Sequence, residues 1–279
     1  MVMKKHKKIA SSAVTYFILA AALVWTIFPI YWMIKSSVTV NSEMYVARPP
    51  LIAQHYTLDN YIELFTETEF AHALFNSLQI AGITTICCLA VSILGSYAMT
   101  RLKFPGRKFF KTSIIFSYLI PTAVLFVPMY VFVSKLGFYD NKFALLIIYP
   151  TTVVPYCCYM LMSYFKAIPY ALEEAALIDG CTRIKSLWYI IMPIALPGIA
   201  VVATFAFTMS WNEYLYAMIM TTSNAQQTAV VAISSFKYAD SAIWGRIMSA
   251  SVVTSLPVAV IYIIAQGQLI SGKSDGSVK

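Results

Sequence analysis

Two adjacent carboxylates followed by two alanines, Glu173-Glu174-Ala175-Ala176, stand in a stretch that also holds Pro169, Gly180, Thr182 and Pro193. Acids beside small residues on a short helix make a surface that a second protein can approach closely and pair with through arginine. The same pattern also suits an amphipathic helix resting on a membrane or on its own bundle, although carboxylates are repelled by an anionic lipid surface. A second group, Trp211-Asn212-Glu213, interrupts an apolar run. An ionisable residue there is a functional candidate by default: Asn212 is suited to hydrogen-bond a sugar hydroxyl, and Trp211 to lie against its apolar face. The alternative is that Glu213, near the end of its run, simply reaches water while Trp211 packs between helices. A third group, Asn76, Ser77 and Gln79, opens another apolar run and either ties helices together or meets a polar solute.

Other chemistries find no support in the residues. Cys87-Cys88 and Cys157-Cys158 are adjacent pairs inside apolar runs and Cys181 stands alone, with no C-x-x-C spacing, so they read as small apolar filler. His6, His55 and His72 are scattered, and neither a metal cluster nor a Cys/His nucleophile can be assembled from them. Gly267 to Ser274 fits the phosphate-loop pattern G-x-x-x-x-G-K-S by letter. That loop works only where a strand delivers it and a helix follows to aim its N–H groups at the phosphates. Here an apolar run precedes it and five residues follow, so ATP must be held by another chain if ATP is used.

The elements that position these groups are membrane spans. The chain has 279 residues, 59% of them hydrophobic and 11% charged, with a mean hydropathy of +0.72. Such a composition excludes intrinsic disorder and a disulfide-stapled secreted domain and points to a bilayer as solvent. Six apolar runs reach or approach crossing length: Ile9 to Ile34, Ala73 to Met99, Phe109 to Ser134, Phe143 to Phe165, Ile194 to Met220 and Ile247 to about Ile264. Of twenty Lys and Arg residues, fourteen fall in alternate segments: the tail before the first run, the second gap from Arg101 to Lys111, the fourth gap, and the end of the chain. By the positive-inside rule those segments are cytoplasmic, which predicts six crossings with both termini inside. The net charge of +8 is therefore a topological signal, and no nucleic acid partner is expected. The first run, with Ala20-Ala21-Ala22, also resembles a signal peptide, but it continues through Trp25, Phe28, Tyr31 and Trp32, too long and aromatic for one.

The predicted organisation is residues 1–70 as tail, first span and outside loop, 71–268 as the transmembrane domain with spans two to six, and 269–279 as a cytoplasmic tail. In the fourth gap, Lys166 to Pro193, the spacing predicts two short helices joined by a turn. Pro169 suits a first helical position, Gly180 a left-handed stop, Thr182 a cap for the next helix and Pro193 its end. Leu172, Ala175, Ala176 and Ile178 gather on one side of the first helix, beside Glu173 and Glu174.

Glu174-Ala-Ala, three residues, Gly180, nine residues and then Ile190-Ile-Met-Pro193 resemble the EAA loop of bacterial ABC importer permeases, with Met192 where that family usually has Leu. Further strings are similar to the carbohydrate branch, the maltose permease type: Pro29-Ile-Tyr-Trp-Met, Leu58-Asp-Asn-Tyr61, Asn76-Ser77, Arg101-Leu-Lys-Phe-Pro-Gly-Arg107, Ile120-Pro121 through Pro128, and Trp211-Asn-Glu-Tyr214. The resemblance implies an all-α membrane protein with a cytoplasmic coupling helix between spans four and five. It implies a transport subunit, not an enzyme, in the bacterial inner membrane, paired with a second permease as a heterodimer. A dimer of ATPase subunits would bind ATP and magnesium, and an extracytoplasmic binding protein would deliver the sugar. Carried over by position, Glu174 pairs with a basic residue of the ATPase, with Glu173 as helper. Ala175 and Ala176 let the helix seat in its cleft, and Gly180 makes the turn. The outside stretch Thr221 to Arg246 faces the binding protein, with Asn224, Gln226 and Gln227 as candidate contacts.

An ion-driven secondary transporter is the main rival. It calls for repeated halves and charged or broken helices, neither of which the sequence displays. A channel calls for a filter or rings of charge, and a membrane enzyme for a catalytic cluster. From the EAA loop alone, a permease for a non-sugar solute remains open.

Overall fold

The computed structural model describes residues 2–238 and 241–274, with side chains for 14–237 and 243–268. It is helical throughout, apart from a two-residue antiparallel ladder pairing Lys237–Tyr238 with Ser241–Ala242 and an isolated bridge between Thr39 and Tyr56. Five helices are long and apolar enough to cross a membrane, and a bent pair makes a sixth if counted as one span. The chain divides into two compact units, residues 1–68 with 235–255 and residues 69–234 with 256–279.

The first unit contains α1 (Val2–Ser37), α2 (Asn41–Met44) and α3 (Asp59–Thr66). From Val14 to Tyr31 every side chain of α1 is exposed, including Phe17, Trp25 and Phe28, as suits a helix whose neighbours are lipid or another subunit. The C-terminal end of α1 is held by polar ties. The Asn60 amide, fully buried, donates to the Ser37 and Thr39 carbonyls at 3.1 and 3.0 Å, and the Tyr61 hydroxyl donates to Ser37 at 2.8 Å. The two Asn60 bonds satisfy carbonyls at and just beyond the end of α1, where a helix leaves them without partners. Gly245 lies so close to Asn60 and Asn41 that a Cβ there has no room. Arg246 pairs with Glu63 at 3.2 Å and Glu67 at 2.6 Å.

The second unit contains α4 (Phe70–Arg101), α5 (Arg107–Leu119), α6 (Thr122–Lys135), α7 (Leu145–Ala167), α8 (Tyr170–Ile178), α9 (Arg183–Ser186), α10 (Met192–Trp211), α11 (Leu215–Met220) and α12 (Ala229–Ser235). The last helix, α13 (Trp244–Ser274), contributes its first part to the first unit and the remainder to the second. The second unit is built around α4, α7 and α10, whose core includes Cys88, Tyr97, Cys157, Leu161, Phe165, Ile191 and Val202. Small and hydroxylated residues let these helices approach, as membrane packing requires. Ser92 and Ser96 donate to the Val154 and Cys158 carbonyls, at 3.4 and 3.1 Å, and Gly198 accepts the Tyr164 ring where a Cβ would stand 2.5 Å from it. All five cysteines are free, and Cys88, Cys157 and Cys158 are buried.

Three expectations need correction. The third run is two helices, α5 and α6, bent by 98° at Ile120-Pro121. Proline disfavours helical backbone at the residue before it, and Ile120 is extended. The fifth run is also broken, because α10 ends at Trp211 and the chain leaves helical geometry before α11. Broken helices are thus present where the sequence displayed none. Pro193 does not end a helix: a π-helical turn, Leu187–Ile191, leads directly into α10, and the proline follows at the second position of that helix. Gly267 to Ser274 is continuous helix with no loop, in line with the rejection of the phosphate-loop lettering. Of the predicted tail 269–279, residues 269–274 extend α13 and 275–279 lie outside the described residues.

Candidate functional site

The loop between α7 and α10 is formed by its own sequence. Pro169 precedes α8, one position earlier than expected, with a φ of −57° suited to helix entry. Gly180 turns the chain with a φ of +86°, a backbone conformation that side chains with a Cβ resist. The Thr182 hydroxyl accepts the Lys185 N–H at 3.3 Å and caps α9. Cys181 closes the turn by donating to the Ala176 carbonyl at 2.9 Å.

The face that α8 buries differs from the one its apolar residues suggested. Glu173 is 3% exposed and Ala176 is buried, whereas Leu172, Glu174, Ala175 and Ile178 are exposed, Ile178 at 86%. Glu173 turns inward because its partners are there. Its carboxylate accepts the Tyr97 hydroxyl at 2.5 Å and stands 3.6 Å from Arg101 and 3.7 Å from Arg183. Adjacent helical positions point about 100° apart, so burying Glu173 puts Glu174 outside. The Arg101 guanidinium, also buried, donates to the Phe165 and Ile168 carbonyls at 2.6 and 2.7 Å and lies 4.2 Å over the Tyr170 ring. The Tyr170 hydroxyl donates to Thr100 at 2.6 Å, and Arg107 donates to the carbonyls of Met99, Thr100 and Leu102, finishing α4. A cleft of about 610 Å³ opens beside them, lined by Arg101, Lys103, Tyr170, Glu173, Glu174 and Arg183.

The other candidates are divided among three places. Trp211 is buried and stacked on Phe207, with ring centroids 5.4 Å apart, near Ala81, Val258 and Ile261. Asn212 is exposed where α10 ends. Glu213 is outside any helix and caps α11, its carboxylate accepting the Tyr216 and Ala217 N–H groups at 3.0 and 3.1 Å. Asn76 is fully buried and commits its amide within the chain, donating to the Ala225 and Gln227 carbonyls at 3.1 and 2.9 Å and accepting Lys142 at 2.7 Å. Gln79 accepts the same ammonium at 2.8 Å. Ser77 accepts the Ala229 N–H, and the Gln226 side chain accepts the Lys142 N–H, so Gln226 is turned into the loop while Asn224 is exposed. Asp140 accepts the Ser223 N–H at 2.9 Å, which holds its carboxyl below the usual range. Sequence reasoning missed Lys142 and Arg101 as site residues. Both looked like topology markers, and no local pattern distinguishes a buried cation from a solvated one. Among the described residues, no group of three or more His, Cys, Asp or Glu is placed to hold a metal ion.

A helical chain of this span content, with a capped two-helix loop ahead of its fifth apolar run, matches a known family over residues 91–271: binding-protein-dependent transport system inner membrane component. The chain belongs to this family. It is a multi-pass inner-membrane permease subunit of the ABC transport class. The inner membrane ABC transporter permease protein YcjP of Escherichia coli is 34% identical over 99% of this chain and 100% of that protein. The sulfoquinovosyl glycerol transport system permease protein SmoH of Agrobacterium fabrum is 32% identical over 92% of this chain and 90% of its own. The trehalose/maltose transport system permease protein MalG of Thermococcus litoralis is 32% identical, over 91% of each chain. The fold matches a chain in the crystal structure of a bacterial ABC transporter that imports the acidic polysaccharide alginate. The TM-score there is 0.80 at 20% identity, over 92% of this chain and 95% of that one. Membership in this family disposes of the secondary transporter, the channel and the membrane enzyme as readings.

Proposed function

We propose that this chain forms half of the transmembrane pathway of an ATP-driven importer for a sugar or oligosaccharide. It would pair with a second, non-identical permease above a dimer of ATPase subunits that bind ATP and magnesium, and receive solute from an extracytoplasmic sugar-binding protein. The observation that carries the reading is α8: a short helix with Glu174, Ala175, Leu172 and Ile178 exposed, set by a left-handed Gly180, in a chain whose full-length relatives are named as sugar permeases. An exposed apolar and acidic face on a rigid loop suits a protein partner. The distribution of basic residues supports placing that loop and both termini in the cytoplasm. In this reading α8 is the coupling helix and Glu174 meets a basic residue of the ATPase. Ala175 allows close approach, while the inward-facing Ala176 seats the helix on its own subunit. On the opposite side, Asn224 is the exposed candidate for the binding protein, with Gln226 and Gln227 shaping the loop behind it. Asn212 is the pathway candidate with a free side chain, Trp211 and Glu213 being engaged in packing and capping.

The test is mild detergent extraction of the tagged chain from its native membrane, with mass spectrometry of the proteins retained. An ATPase, a second six-span permease and a sugar-binding protein are the expected companions. Recovery of the chain alone, under conditions that preserve such complexes, would overturn the reading.

A further inference from the structure

Most of the outer face of α8 is exposed, and its hold on the rest of the unit is largely polar. Glu173 bonds Tyr97 on α4 and faces Arg101, and Tyr170 bonds the Thr100 carbonyl and lies under the Arg101 guanidinium. Arg101 is the last residue of α4, yet its Nη2 donates to the final carbonyls of α7, Phe165 and Ile168. One side chain therefore joins α4, the end of α7 and α8. Its Nη2 reaches both carbonyls, its Nε stands 3.6 Å from the Glu173 carboxylate and the Tyr170 ring lies against its face, an arrangement that uses the planar, stackable form of a guanidinium. The site is buried, with the Arg101 and Glu173 side chains 1% and 4% exposed, so loss of Glu173 removes the carboxylate that faces the Arg101 charge away from water.

We infer that Arg101, Tyr97 and Glu173 are positioning residues that clamp the coupling helix to α4 and α7, so that a displacement of α8 is delivered to two pathway helices at once. Glu173 thus serves the chain's own interior and only Glu174 serves the partner. The inference rests on the importer reading for what moves α8, but the clamp itself is a property of this chain. Arg183, exposed and 3.7 Å from Glu173, adds a second cation without joining another span.

The clamp is tested by hydrogen exchange, read by mass spectrometry, on the permease purified in nanodiscs with the partners it retains. Glu173→Gln, Arg101→Lys and Tyr97→Phe should speed exchange of the amides of residues 172–178 by about tenfold or more, leaving the middle of α4 unchanged. Unchanged exchange in α8 would overturn the clamp, whether or not an ATPase is present. Transmission is tested on the reconstituted importer by the ATP hydrolysed per sugar delivered. The same three variants should raise that ratio by about fivefold or more with the ATPase still bound. Glu174→Gln should instead weaken ATPase retention and leave α8 exchange in the free permease at the wild-type rate. A merely structural role would lower hydrolysis and transport together and keep the ratio constant, which would overturn the transmission claim. If Glu173→Gln fails to assemble, Tyr97→Phe, which removes one hydroxyl, carries both measurements. A wild-type complex that moves sugar without hydrolysing ATP would sink the importer reading alone, because the exchange data judge the clamp separately.

Discussion

Asn76 and Asn212 carry the same side chain in opposite circumstances, and that difference separates stability from transport. Asn76 is buried and its amide bonds three groups of the chain, so Asn76→Ala removes one of the two side-chain acceptors of Lys142 and abandons two loop carbonyls. The expected cost is about 1–3 kcal/mol, seen as a lower unfolding temperature in detergent. Asn212 is exposed, so Asn212→Ala should leave stability within about 0.5 kcal/mol. If Asn212 lines the pathway, that variant loses sugar uptake in intact complexes; wild-type uptake would remove it from the pathway. The sequence marked both residues as candidates, because an amide in an apolar run is conspicuous whatever it does. It could not assign their roles, since the carbonyls that occupy Asn76 come from a loop about 150 positions away. Glu173 and Glu174 present the same problem at closer range, where the choice of which acid faces inward depends on Tyr97 and Arg101 of another helix.

At the scale of elements, local chemistry was the better guide. The turn at Gly180 and the Thr182 cap are where residue types required them, because both depend on a few neighbouring bonds. Gly180→Ala keeps open space around the new methyl but demands an L-residue at φ +86°, costing about 1–2 kcal/mol locally. The expected outcome is an α8–α9 turn that reopens, with less sugar delivered per ATP while the protein still reaches the membrane. Unaltered coupling in that variant would mean the turn tolerates another conformation. The bend at Ile120-Pro121 and the break after Trp211 were not legible as breaks, because hydrophobicity reports where a chain is apolar and not whether its axis is straight. Proline was visible at 121, but Pro128, Pro150 and Pro155 lie inside helices, so the residue type alone did not separate a hinge from a tolerated kink.

For the whole molecule, the exposed apolar surface sets the expectation. Helix α1 has no buried side chain from Val14 to Tyr31, and α5 and α6 expose Phe109, Phe116, Leu119, Val127 and Phe132. In the proposed importer, lipid would cover part of such a surface and partner subunits the rest. Binding of partners to the folded state raises its apparent stability by mass action. Under the importer reading, coexpression with a second permease and an ATPase subunit should therefore raise the yield of monodisperse protein severalfold over the chain alone, measured by fluorescence-detected size exclusion in detergent. Equal yields would indicate that this subunit is self-sufficient.

Composition, charge placement and local spacing by themselves determined the helical membrane class, the apolar runs, the capped loop before the fifth run and, through the EAA-like string, the family. The class, the runs and the loop follow from transfer of side chains into a bilayer or from bonds between near neighbours, which a linear reading contains, whereas the family came from the resemblance of that string to the EAA loop. Tertiary structure alone decided that Glu173 is an internal anchor, that Arg101 joins three helices, that Lys142 is held by Asn76 and Gln79, and that Glu213 caps α11. Those outcomes depend on which distant groups share a buried volume. There an unpaired polar atom is costly, and each side chain turns toward whatever partner the packing supplies.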